Sequence, residues 1–204
     1  MKKDSFMKDA LVLFAITLVA GICLGGVYEI TKGPIAEANM AAKKDAYQVV
    51  YADAANFAEA EELDDLVDGS EEIMVLHGMS GVLVDEVVKA LDASGNTVGY
   101  VVTTTSKNGY GGSITVTAGV SLDGTVQGIE FLSITETAGL GMNADTPEFK
   151  AKYAGKQVDG FVVVKGGASA DNEIDAIGGA TITTNAVTEA VNAAVYFVKD
   201  GIGQ

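Results

Sequence analysis

Nineteen consecutive residues without a charge, ALVLFAITLVAGICLGGVY from Ala10 to Tyr28, constrain this chain more than any other stretch. As a helix rising about 1.5 Å per residue they match a hydrocarbon core of ~30 Å, so the sequence predicts one transmembrane helix. Lys2, Lys3 and Lys8 precede the run, and Glu29 and Lys32 follow it. That lysine bias places the N-terminus in the cytoplasm, with the soluble part of a single-pass protein on the extracytoplasmic side of the cytoplasmic membrane. A cleaved signal peptide fits less well, because the apolar run is long for one. A lipoprotein also fits less well, because Ile22 stands where a small residue should precede Cys23. The expected organisation is a cytoplasmic segment at 1–9, a transmembrane helix at 10–30, a linking helix at 31–57 and one domain at 58–204.

Composition excludes several classes of function for that domain. The 204 residues carry a formal net charge of -15, and all 13 basic residues are lysines. Such a chain lacks the cationic surface that supplies most affinity for nucleic acid. One cysteine, Cys23, and one histidine, His77, cannot form an intramolecular disulfide, a His/Cys metal site or an iron–sulfur cluster. Any redox work must therefore rest on an organic cofactor.

Beyond the span, Gly33 and Pro34 suggest a break, with Pro34 in the first turn of a new helix over Ile35 to Val50. The acidic run from Ala58 to Glu72 reads as a solvated helix or loop. From Val84 the apolar period changes to that of strands, with runs at Val84–Asp92, Val98–Thr105, Ser113–Ser121 and Thr125–Ile134. Turn residues separate them, including Asp123-Gly124, so an antiparallel meander is expected. A short helical piece at Thr146–Gly155, a strand at Phe161–Lys165 and an amphipathic helix from about Asn185 to Lys199 complete an α+β domain, its meander flanked by helices.

The segment DAIGGATITTNAV, Asp175 to Val187, packs hydroxyls between a glycine pair and that last helix. Free N–H groups at a helix start, with the macrodipole, favour an anion such as phosphate without arginine. Gly178 and Gly179 allow a tight turn and close approach. A plain cap by Thr183, Thr184 or Asn185 is the alternative, and it explains only one of these residues.

Asp175, Gly179, Ala180 and Thr181 fit the pattern Asp-x-x-(Ser/Thr)-Gly-Ala-Thr. This resembles the flavinylation motif of the FMN-binding domain in the G subunit of Rnf complexes and the C subunit of sodium-pumping NADH:quinone oxidoreductases. YEITKGPI, GYGGSITV and ETAGLG resemble further blocks of that family in the same order, and the chain length is closer to that of the Rnf G subunit. The resemblance implies FMN joined by a phosphoester to Thr181, with Asp175, Gly178, Gly179, Ala180, Thr183 and Thr184 around it. Glu136, Thr137, Leu140 and Gly141 of ETAGLG would lie beside the flavin. Gly178 departs from the usual Ser/Thr, and Ala138 from a proline.

The implied function is electron transfer within a membrane-bound complex that couples ferredoxin:NAD oxidoreduction to sodium or proton translocation. Thr181 is then an attachment point and not a catalyst. No catalytic residue and no metal ligand is expected. Partners would be the other Rnf subunits and, during maturation, an FAD:protein FMN transferase. A phosphate monoester carries ~1.5 to 2 negative charges at neutral pH and is repelled by an acidic domain. A diester carries less and cannot dissociate, so covalency substitutes for the missing arginines. A stand-alone anchored FMN carrier, or a cofactor-free binding module built on the meander, are the other readings.

Overall fold

A computed structural model describes residues 3–203, with side chains described from Met7 onward except Ala36. The expectations resting on Lys2 and on the Lys3 side chain lie outside the described residues. The chain forms two units, Met1–Ala42 and Lys43–Gln204.

The first unit is helical. α1 spans Lys3–Val50 without interruption and carries Pro34 inside it. The expected break at Gly33-Pro34 is thus absent. Proline removes one intrahelical donor, opposite the Ile30 carbonyl, and the remaining ladder carries the helix through. α1 is long and apolar enough to cross a membrane. Its polar groups are satisfied internally: Thr17 Oγ1 donates to the Leu13 carbonyl at 3.1 Å, and Thr31 Oγ1 to that of Val27 at 2.9 Å. A segment surrounded by hydrocarbon requires this, since lipid offers no partner.

The second unit opens with the last turns of α1, where Tyr47 and Val50 are buried. After β1 (Asn56–Glu59), the acidic run forms one 3-10 turn and two short helices, α2 (Asp64–Asp68) and α3 (Ser70–Leu76). The meander follows as β2 (Val82–Leu91), β3 (Thr97–Ser106), β4 (Ile114–Ser121) and β5 (Thr125–Ser133). Then come α4 (Pro147–Lys150), β6 (Lys156–Gln157), β7 (Val162–Val164), β8 (Glu173–Asp175) and α5 (Thr181–Tyr196). β1 to β6 lie in sequence order in one antiparallel sheet, while β7 and β8 form a separate parallel pair.

Both faces of the large sheet are covered. On one face α5 lays down Val187, Val191 and Val195 with Ala186, Ala190 and Ala194, all fully buried. Each such valine contributes about 1.5–3 kcal/mol, and the alanines let helix and sheet approach closely. On the other face Tyr47, Val50 and Tyr51 pack against Val88, Ala90 and Val101. There Gly119 of β4 is paired with Gly128 of β5. A Cβ on Gly119 would come within 2.3 Å of the Val50 carbonyl oxygen, so the glycines cut the slot in which the end of α1 sits.

α5 begins at Thr181, four residues before the expected start. Its N-cap is Ala180, and no side chain caps it. The alternative of a plain cap by Thr183, Thr184 or Asn185 is therefore not present; all three lie within the helix.

Candidate functional site

The loop after β5 and the start of α5 enclose a pocket of about 540 Å³. Glu136, Thr137, Leu140 and Gly141 line one side; Gly179, Ala180, Thr181 and Thr183 line the other. Eight of the eleven residues singled out in the sequence thus meet in one cavity. Asp175, Gly178 and Thr184 are not among its lining residues. Tyr110 and Ile182 are, although sequence reasoning did not select them. Tyr110 stands within the GYGG block, and Ile182 between the threonines, so position rather than residue type is the available signal.

The threonines differ sharply. Thr184 is fully buried, and its hydroxyl donates to the Ala180 carbonyl at 2.9 Å while accepting from Ile177 N–H at 3.0 Å. Thr188 in turn donates to the Thr184 carbonyl at 2.8 Å, which makes the buried Tyr153 the donor in its 2.8 Å bond to Thr188. Burial holds the Tyr153 phenol well above its usual pKa, with the Thr188 bond a smaller opposing effect. Thr184 therefore belongs to a structural hydroxyl chain. Thr183 is 1% exposed. Thr181, the first residue of α5, is half-buried and opens onto the cavity.

The backbone around Thr181 suits an anion. Ala180 N–H is used by the Ile177 carbonyl, and Thr184 N–H by the Ala180 carbonyl. The N–H groups of Thr181, Ile182 and Thr183 have no intrahelical acceptor at this position. Gly179 has φ +76°, a conformation that side-chain-bearing residues rarely adopt. Among the described residues, no lysine lines the pocket.

Opposite, Glu136 Oε1 accepts from Gly111 N–H at 3.1 Å. Glu136 Oε2 is buried and without a hydrogen-bond partner among the described residues. An unpaired buried acceptor is costly, by about 1–3 kcal/mol. Gly141 is required for this packing, since a Cβ there would lie 2.7 Å from Thr183 Oγ1 and 2.8 Å from Glu136 Oε2.

Asp175 ends β8 outside the cavity lining, where its carboxylate accepts from Ala168 N–H at 2.9 Å and its carbonyl from Lys152 Nζ at 3.3 Å. The first of these bonds ties β8 to the preceding loop at Ala168. A Cβ on Gly178 would meet nothing within 4 Å, and Gly178 does not have a positive φ.

A pocket at a helix start, with free N–H groups and a threonine open to it, suits a phosphate-bearing cofactor, and residues 109–196 match the FMN-binding domain family. Over 199 residues the chain is 37% identical to the G subunit of the Na(+)-translocating ferredoxin:NAD(+) oxidoreductase complex of Acetobacterium woodii, covering 95% of this chain and 91% of that protein. It is 33% identical over 210 residues to the G subunit of the proton-translocating ferredoxin:NAD(+) oxidoreductase complex of Clostridium ljungdahlii, covering 100% and 99%. NqrC of Shewanella oneidensis is a structural relative with TM-score 0.50 and 28% identity, over 58% of this chain and 61% of that one. The chain belongs to the family of G subunits of ion-translocating ferredoxin:NAD(+) oxidoreductase complexes.

Proposed function

We propose that this protein is the FMN-carrying electron-transfer subunit of a membrane-bound, ion-translocating ferredoxin:NAD(+) oxidoreductase, with the flavin held by a phosphoester to Thr181. The observation that carries the proposal is the pocket itself: Thr181 and the free N–H groups at the start of α5 border one cavity in a chain of this family. What favours Thr181 over its neighbours is access, since Thr183 is buried and the Thr184 hydroxyl is already bonded twice.

FMN would supply one- and two-electron redox chemistry at this site. The residues of the chain do the rest. The N–H groups of Thr181, Ile182 and Thr183 bind the phosphodiester, Gly179 permits its close approach, and Glu136 holds the neighbouring loop through Gly111 N–H. Leu140 and Ile182 exclude water. A charge at a helix start gains only about 0.3–1 kcal/mol from the dipole, less than the roughly 1.4 kcal/mol that makes a tenfold change in affinity. With no lysine among the described residues of the pocket lining, retention falls to the covalent bond.

The soluble domain lies on the extracytoplasmic side, as the lysine bias around the span favours. The flavin is attached by an FAD:protein FMN transferase, for which Asp175 at the end of β8 forms part of the recognised surface. Purification of the full chain from a host with the transferase tests the proposal. A flavin-fluorescent band after denaturation, recovered with several polytopic subunits, is expected. A colourless chain purified alone would overturn it.

A further inference from the structure

Tyr110 stands alone on a loop that is otherwise side-chain-poor and tightly held. Its neighbours are Gly109, Gly111 and Gly112. A Cβ on Gly109 would come within 2.2 Å of the Gly112 carbonyl oxygen, and one on Gly111 within 2.1 Å of that of Thr135. The loop backbone is therefore pressed against itself and against the segment leading to Glu136. Asn108 anchors its start, donating from Nδ2 to the Ser80 carbonyl at 2.9 Å and to Glu189 Oε2 at 2.7 Å. Gly111 N–H fixes the other side on Glu136 Oε1. Only the Tyr110 side chain projects, 72% exposed, into the lining of the pocket that also contains Leu140 and Ile182.

A firmly held loop that leaves a large aromatic ring in water is explained if that ring has a planar partner. Aromatic faces bury each other in offset or edge-on contact. A phosphate alone gives Tyr110 nothing to cover; an aromatic ring system does. We infer that Tyr110 is a binding residue for the flavin ring, lying against it at the open side of the pocket and quenching its fluorescence. This rests on the FMN reading of the same site. With FMN bound, the Tyr110 phenol would lend one electron to the photoexcited ring and recover it on recombination, so no bond would change and no reagent would be consumed.

The composition makes the test clean, because the chain has no tryptophan and Tyr110 is the one aromatic among the described residues that line the pocket. The full-length protein, made with its transferase, is compared with Tyr110→Phe and Tyr110→Ala. Bands after denaturation should be equally fluorescent, which reports equal loading. In the folded protein Tyr110→Phe, whose ring is a far poorer electron donor, should be several-fold brighter than the wild type. Iodide should quench Tyr110→Ala more strongly than Tyr110→Phe, since only phenylalanine keeps the cover. Equal native brightness at equal loading, or equal iodide access, would overturn the assignment while leaving the FMN site standing. A wild-type band without flavin would instead overturn the FMN reading, and this inference with it.

Discussion

A hydroxyl can carry a phosphoester only where the bond to phosphorus has room and the oxygen is not already committed. Among the clustered threonines that condition separates Thr181 from Thr184, whose oxygen both donates and accepts within 3.0 Å, and from Thr183, which is buried. The sequence could not make this distinction, because all three share one residue type at the start of one helix. Thr184, which precedes the expected start, and Thr188, within the expected helix, are both accommodated by local bonds, and Thr184 lets the helix begin earlier than its pattern suggests. β-branched hydroxyl residues disfavour helix interiors by competing for backbone groups, yet here both return a hydroxyl to a carbonyl one turn back. Gly178 gives a prediction at this scale. Open space at its Cβ means that Gly178→Ser leaves the fold intact, and the family's usual hydroxyl is restored. The flavinylated fraction should rise when transferase is limiting, measured by denatured-band fluorescence per mole of protein; an unchanged fraction would show that this position does not govern attachment.

The elements were legible where period and turn chemistry agreed. The four meander strands fall within about two residues of the alternation pattern, and the Asp123 turn joins β4 to β5 as expected. β8 was missed because three residues carry no period, and it matters because it ends on Asp175. The uninterrupted α1 was missed because Gly33-Pro34 reads locally as a break. The turn at Asp123 is testable by pH. Its carboxylate accepts from Ser121 Oγ at 2.6 Å and Thr125 N–H at 3.0 Å, and these bonds, the Ser121 one foremost, hold its pKa below the usual range. A depressed folded-state pKa adds stability above the unfolded value, about 3.9, and that stability is lost as pH falls through the folded value. Asp123→Ala should lower the denaturation midpoint of the full chain in detergent at pH 7. The gap from wild type should narrow in acid below pH ~4. A gap independent of pH would assign the loss to the turn backbone instead of the charge.

At the scale of the whole molecule, the chain joins an apolar helix to one acidic domain, whose sheet packs against Val50 at the end of α1 and Tyr51 just after it. Orientation across the membrane then decides which side the flavin serves. Lys44 is the better reporter, since it is exposed whereas Lys43 is paired with Glu86. An impermeant amine reagent applied to intact cells should label Lys44; protection of every domain lysine until lysis would place the domain in the cytoplasm. The central claim, however, is chemical: one hydroxyl in the pocket holds FMN. Peptide mass spectrometry of the protein made with its transferase tests this directly, alongside Thr181→Val, which keeps the branched shape and removes the oxygen. The expected result is the FMN phosphodiester mass on the peptide, with fragment ions placing it on Thr181, and no adduct in the valine variant. An adduct on Thr183 or Thr184, or a flavin-bearing Thr181→Val protein after denaturation, would contradict it.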